Sequence, residues 1–333
     1  MVQEPQYSTA AANRCWNAVT ISPMRSFVLT LLLIVLGWAG QQPPPFQAEV
    51  NLVNITAVVH LADGRLLRNL NKDDFEVMED GAPQTVRFFA REAELPLSLG
   101  LISDVSGSQD KFLKQHNRDV ETFLNAVLRR SDSVFAICFG NHLRLVSEGV
   151  SSGSAVVDAL ERFRKGSDKF PEIGPKEDRR LGTALYDAVY FSILEKLKGA
   201  GQARRALLVF SDGEENSSEH DLLDAIEAAQ NTDTLVYCIR YTQKEHGKLT
   251  ARNKYGIRAM EHLSHLTGAA DFDALTIDLE TVFAQIGNEL RSTYQIGYVP
   301  SNDRAHDGSF RKVTVRCKEP GAIVRAKTGY YAR

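Results

Sequence analysis

The segment Asp104-Val105-Ser106-Gly107-Ser108 sets one carboxylate and two hydroxyls at alternate positions of a short stretch. These are hard oxygen donors. Hard donors with little net charge suit Mg2+, or another divalent cation such as Mn2+ or Ca2+, which accepts neutral oxygens and keeps water ligands. Gly107 lets the backbone turn tightly between the two serines. Two later segments offer the same chemistry. Leu181-Gly182-Thr183-Ala184 brings a hydroxyl where a helix is expected to open, and Val209-Phe210-Ser211-Asp212-Gly213 ends a predicted strand on a carboxylate. A purely local reading exists beside this one, with Ser106 and Thr183 as helix N-caps and Asp212 as a turn former.

The elements that must position these residues follow from hydrophobic period. Residues 97–105 form a short apolar run of the kind buried on both faces of a sheet. Residues 110–130 place Phe112, Leu113, Val120, Phe123, Leu124, Val127 and Leu128 at helical spacing. Further strands are expected at 133–139, 205–212 and 234–239, with a hairpin return at 142–146 and a short strand near Ala270. Helices are expected near 153–164, from Gly182-Thr183, over 219–230 and near 255–267. Strand and helix alternate, which predicts a doubly wound, mostly parallel α/β sheet covered on both faces. In such sheets ligands gather beyond the carboxyl ends of the strands, where the strand order reverses.

The flanks read differently. Residues 48–60 favour β-branched types, Asp63-Gly64 and Asp80-Gly81 are turn signals, and 85–89 reads as another strand. After a helix at 279–286, residues 294–300, 311–317 and 322–327 are again strand-like. Neither flank is long enough for a robust core of its own. The expected organisation is therefore a signal or unstructured N-terminus over 1–42, a β-rich segment over 43–95, an α/β domain over 96–288, and strands over 289–333 that pair with the first β-rich segment.

The ordered set D-x-S-x-S, then Thr183, then Asp212 in a strand-Asp-Gly context resembles the metal-ion-dependent adhesion site of von Willebrand factor A domains. All five positions of that pattern are filled in this sequence by Asp104, Ser106, Ser108, Thr183 and Asp212. The resemblance implies direct ligation by Ser106 and Ser108, direct or water-mediated ligation by Thr183, and action mainly through waters for Asp104 and Asp212. It also implies an open coordination position for a partner's Asp or Glu carboxylate. Gln109 departs from the pattern, standing where methionine is frequent. The flanking Lys72–Val77, Glu79-Asp80-Gly81 and Lys327-Thr328-Gly329-Tyr330-Tyr331 widen the resemblance to exported proteins related to these domains and common in Acidobacteria.

Composition narrows the function classes. The 333 residues are 43% hydrophobic and 24% charged, an ordinary globular balance, and the formal net charge of −3 is no footprint for nucleic acid. Arg25, the apolar run 27–36, and Gly37 and Ala39 read as a secretory signal, with an uncleaved anchor as the alternative. The run is shorter than the ~20 residues a membrane span needs, so no stable span is expected in the mature chain. Met24 is a second candidate start. The expected location is periplasmic, cell-surface or secreted. Cys138, Cys238 and Cys317 are expected as inert thiols, and His262 and His265 lack the partners of a zinc site. The charged stretch 164–180 either shapes the rim of the site or is a solvated insertion. No P-loop, G-x-S-x-G or G-x-G-x-x-G occurs. The expectation is a non-enzymatic protein-binding module. A structural envelope protein with a stabilising cation is the alternative, and a metal-assisted hydrolase using Glu214 or Glu215 is a further one.

Overall fold

A computed structural model describes residues 52–91, 95–174, 182–201, 203–301 and 307–332. The signal segment, Cys15 and part of the charged stretch before Thr183 lie outside the described residues. The N-terminal flank supplies β1 (Val53–Leu61), β2 (Phe75–Glu79), β3 (Ala82–Gln84) and β4 (Val86–Arg91). Asp80 and Gly81 both take positive φ in the turn between β2 and β3, as the Asp-Gly signal requires.

The apolar run after Pro96 is β5 (Leu97–Asp104), followed by α1 (Leu113–Val127) and β6 (Ser133–Phe139). Next come β7 (Leu143–Val150), α2 (Gly153–Lys165), α3 (Leu185–Phe191, continued by a π-helical turn to Leu197) and β8 (Arg204–Ser211). The series closes with α4 (Leu222–Asn231), β9 (Thr234–Arg240), α5 (Ala251–Thr267), β10 (Asp271–Asp273) and α6 (Leu279–Leu290). The sheet order is β10-β9-β8-β5-β6-β7, parallel except for the antiparallel edge strand β7. The chain first builds outward from β5 to β6 and then returns to lay β8 on the other side. The order therefore reverses between β5 and β8.

Both faces are covered. Leu97, Leu99 and Leu101 pack with α1, α2 and α6, whereas Ile102, Leu207 and Val209 pack with α3, α4 and α5. Each fully buried Leu or Ile of these layers contributes roughly 1.5–3 kcal/mol through its removal from water. This is the mixed α/β, doubly wound architecture that the alternating periods predict. Three helix starts differ, and the helix expected from 219 begins at Leu222, where Asp221 caps it. The helix expected from Gly182-Thr183 begins at Leu185, because the Thr183 backbone is bonded to Asn216 on both sides. The helix expected near 255 begins at Ala251, where Thr250 and Asn253 form a capping box.

The described part of the charged stretch has a defined place. The Leu145 N–H donates to Pro171 O at 2.9 Å and the Ile173 N–H to Leu143 O at 3.1 Å, so this segment runs along the outer edge of β7. Covering an exposed edge in this way removes a template for unwanted strand pairing.

The C-terminal flank supplies β11 (Tyr294–Tyr298), β12 (Phe310–Cys317), β13 (Ala322–Ala326) and β14 (Gly329–Tyr331). The flanks interleave: β1 lies between β11 and β13, β4 pairs with β11, and β2 pairs with β12. Two four-stranded sheets, β13-β1-β11-β4 and β14-β12-β2-β3, enclose Ile55, Val59, Phe75, Val77, Tyr294, Ile296 and Tyr298. Cross-links tie this sandwich to the α/β layer. Arg325 pairs with buried Glu289 of α6, and Lys327 Nζ lies 2.6 Å from Asp233. The described residues form one compact unit. Among the described residues no helix is long and apolar enough to cross a membrane.

Candidate metal centre

The crevice where strand order reverses collects the three predicted segments and adds a fourth. Asp104 ends β5 and Ser211 ends β8, so both lie at the carboxyl edge of neighbouring parallel strands. The Val105 N–H donates to Phe139 O at 2.8 Å, which ties the first loop to the end of β6. The Ala184 N–H donates to Gly140 O at 2.8 Å, and the Asn216 N–H to Thr183 O at 3.1 Å. A Cβ on Gly140 would lie 3.8 Å from the Ser106 nitrogen and 3.9 Å from the Gly182 oxygen. Ser106 and Thr183 thus stand on one rim with Gly140 between them, and the Asp212 turn adjoins Thr183 through Asn216.

Neither hydroxyl caps a helix. A turn of 3-10 helix over Asp110–Phe112 precedes α1, whose cap is Phe112, and Ala184 caps α3, with no side-chain capping bond at any of these starts. The Ser106 and Ser108 hydroxyls lie 3.2 Å apart, and Ser108 is exposed. Local capping therefore does not account for these side chains. The turn role of Asp212 is real, because its Oδ1 accepts the Glu214 N–H at 3.0 Å.

Both carboxylates are braced from within the protein. Asp104 Oδ1 accepts the Ser106 N–H at 2.9 Å and Oδ2 accepts the Ser211 hydroxyl at 2.5 Å. Ser211 Oγ in turn accepts the Gly213 N–H at 3.0 Å. Asp212 Oδ2 accepts Gln109 Nε2 at 2.6 Å. Asp104 has no solvent exposure and Asp212 is 3% exposed. Burial pushes the Asp104 carboxyl up to about 7, against the Ser106 and Ser211 hydrogen bonds, and the nearby Asp212 adds to the rise. Two acidic groups sealed together beside three hydroxyls form a donor set that fits one small hard cation. Among the described residues no group of three or more His, Cys, Asp or Glu side chains is disposed to hold a metal.

Two glycines shape the crevice. Gly182 has φ of +138°, and a Cβ there would lie 2.6 Å from Ser217 Oγ and 2.7 Å from Asn216 Oδ1. Gly213 (φ +80°) packs directly on the backbone of Gly256 in α5. Any side chain on Gly256 would press on Asp212 O, at 2.6 Å from its Cβ.

Sequence spacing did not identify Ser211, Asn216, Gly140 or the contact made by Gln109. Ser211 carried a readable signal, a hydroxyl at a strand end immediately before a candidate ligand. The bonds of the other three are made between loops distant in sequence. The remaining candidates have other surroundings. His265 Nε2 faces Asp271 at 3.3 Å, while Cys138 and Cys238 are free, buried thiols whose pKa burial pushes far up. Cys317 is also free and half-buried.

No protein-family profile matches the sequence, and no curated protein matches it. Among solved structures, an aerotolerance-related membrane protein from Bacteroides fragilis is similar at 14% identity, over 58% of this chain and 98% of that one, with a TM-score of 0.44. BatB from Bacteroides thetaiotaomicron is similar at 16% identity, over 59% of this chain and 100% of that one, with a TM-score of 0.43. Proximal thread matrix protein 1 of the mussel byssus, solved with a zinc-occupied MIDAS motif, is similar at 10% identity, over 64% of this chain and 49% of that one, with a TM-score of 0.42.

Proposed function

We propose that the chain is a metal-dependent, adhesion-type binding module of the von Willebrand factor A kind. Ser106 and Ser108 would hold one divalent cation directly and Thr183 directly or through water, with Asp104 and Asp212 acting mainly through water. The observation that carries this reading is the meeting of the β5, α3 and β8 loops at the reversal of strand order, with hydroxyls that cap no helix and carboxylates braced by the protein. Because each carboxylate already accepts hydrogen bonds from the protein, the positive charge would meet mostly neutral oxygens. Such an ion supplies an electron-poor position that attracts an external anionic oxygen. A partner's Asp or Glu carboxylate is the protein-borne group of that chemistry, and surrounding contacts would set specificity.

Glu214 follows Asp212 by two residues, and burial followed by the Asp212 charge raises its pKa. Asn253 Nδ2 donates to its Oε1 at 3.3 Å and Arg252 lies 3.7 Å from its Oε2, which ties the carboxylate to the start of α5. The apolar N-terminal run supports export, so the partner would be met in the periplasm, at the cell surface or outside.

Titration calorimetry on the folded chain tests the reading with Mg2+ and Mn2+ as probes. The expected outcome is one ion bound by the wild type and at least about tenfold weaker binding by Ser106→Ala and Thr183→Ala. Capture of envelope proteins should be abolished by EDTA and restored by Mg2+. A wild-type chain that binds neither ion sinks the proposal.

A further inference from the structure

A second recess opens where the β-sandwich meets the α/β layer, and none of the cation-crevice residues lines it. Its volume of about 560 Å3 lies within the range of small-molecule sites, which favour such joins. Tyr190 of α3 and Glu227 and Asn231 of α4 line it from the α/β side. Asn54 of β1, Arg311 of β12 and Tyr331 of β14 line it from the sandwich.

The charges of the lining cancel, because Lys198, Arg311 and Lys327 balance Asp224, Glu227 and Asp233. The two buried cations are also held within the protein. Lys327 Nζ donates to Gln230 O at 2.8 Å and to Asp233 Oδ1 at 2.6 Å. Arg311 pairs with Asp307 at 3.2 Å and with Asp80 at 3.7 Å. An anionic guest would have to compete with these internal carboxylates, and breaking a buried pair is costly. The lining therefore disfavours a charged ligand.

The groups left open are neutral. Asn54, Tyr190 and Tyr331 are half-buried, and within the described residues neither the Asn54 amide nor either tyrosine hydroxyl makes a hydrogen bond. The rings are already set in place: Tyr190 stacks on His220 at 3.8 Å, and Tyr331 packs edge-on against Phe310 at 5.2 Å. A guest thus meets preordered neutral donors and acceptors beside aromatic rings, with little ordering left to do. A pyranose sugar matches that combination. Its hydroxyls both donate and accept, and its C–H faces pack on tyrosine. An extended peptide needs a row of main-chain partners, whereas these open groups are side chains from three separate elements.

We infer that this recess binds a neutral oligosaccharide of about two rings. The site is separate from the cation crevice and needs no metal.

Saturation-transfer NMR on the folded chain tests the inference. The probes are cellobiose, maltose and N,N′-diacetylchitobiose, beside glycerol 3-phosphate as an anion and trialanine as a peptide. The expected result is binding of at least one disaccharide in preference to the last two, unchanged by EDTA. Asn54→Ala and Tyr331→Phe should each weaken it about three- to tenfold, the loss of one hydrogen bond. Tyr331→Phe keeps the ring against Phe310, so an unchanged thermal midpoint separates lost binding from lost folding. Uptake of none of the three disaccharides, preference for glycerol 3-phosphate or trialanine, or loss of sugar binding in EDTA overturns the inference. So does sugar binding that both variants retain in full.

Discussion

His116, sealed beneath the crevice on α1, carries the sharpest consequence of any single residue. Its ring lies 4.3 Å from that of Tyr241 and 6.0 Å from that of Phe210, and its Nδ1 is 3.4 Å from Ser103 Oγ. Burial pushes its pKa down to about 3, so the folded chain holds it neutral. Between that value and the ordinary one near 6.5 the unfolded chain binds more protons. The stabilisation is complete above about pH 6.5 and is lost as pH falls through that window. Relative to His116→Gln, the wild type should lose up to about 1.4 kcal/mol per pH unit below 6.5 in urea melts, and parallel pH profiles would refute this. At this same scale the sequence disclosed unevenly. As candidates, Asp104, Ser106, Ser108, Thr183 and Asp212 were legible, because their types and order at predicted strand ends and a predicted helix start are a pattern along the chain. The bonds from Ser211 to Asp104 and from Gln109 to Asp212 were not, because each joins loops that only folding brings together.

Among the elements, the loop from β8 to α4 does the most positioning. Glu215 accepts the N–H groups of Tyr186 (3.1 Å), Ser217 (2.7 Å) and Ser218 (2.8 Å), and Asp187 accepts those of Glu219 and His220. These bonds lace the start of α3 to the loop that ends at α4, so Thr183 and Asp212 are held as neighbours. Glu215→Ala should cost roughly 1–3 kcal/mol, because backbone donors lose their acceptor. Amides of residues 183–187 should then exchange faster with solvent, whereas unchanged exchange there would show that the lacing is unimportant. Strand and helix periods were readable throughout the α/β layer. The short β3 and β14 were missed, because three residues offer too little alternation to count as a period.

At the scale of the molecule the flanks complete each other. Ile55, Ala57 and Val59 of β1 find their neighbours in β11 and β13, and Phe75 and Val77 of β2 lie against β12. Length was the clue: neither flank can bury a core alone, and the sequence therefore pointed to their pairing. A peptide spanning Leu52–Arg91 should show the collapsed amide dispersion of an unfolded chain by NMR. A well-dispersed spectrum would mean that the first flank folds without the second.

This interleaving dictates an order of assembly. β1, the first described strand to leave the ribosome, bonds locally only to the return at Arg65–Leu67 and gains its partner strands when β11 and β13 exist, while β5, β6, β8 and β9 meet over far shorter stretches of chain. The interior layer can therefore settle first, leaving a β-branched ribbon waiting beside it. A nascent chain of this design relies on whatever shields that ribbon until its last residues have been made.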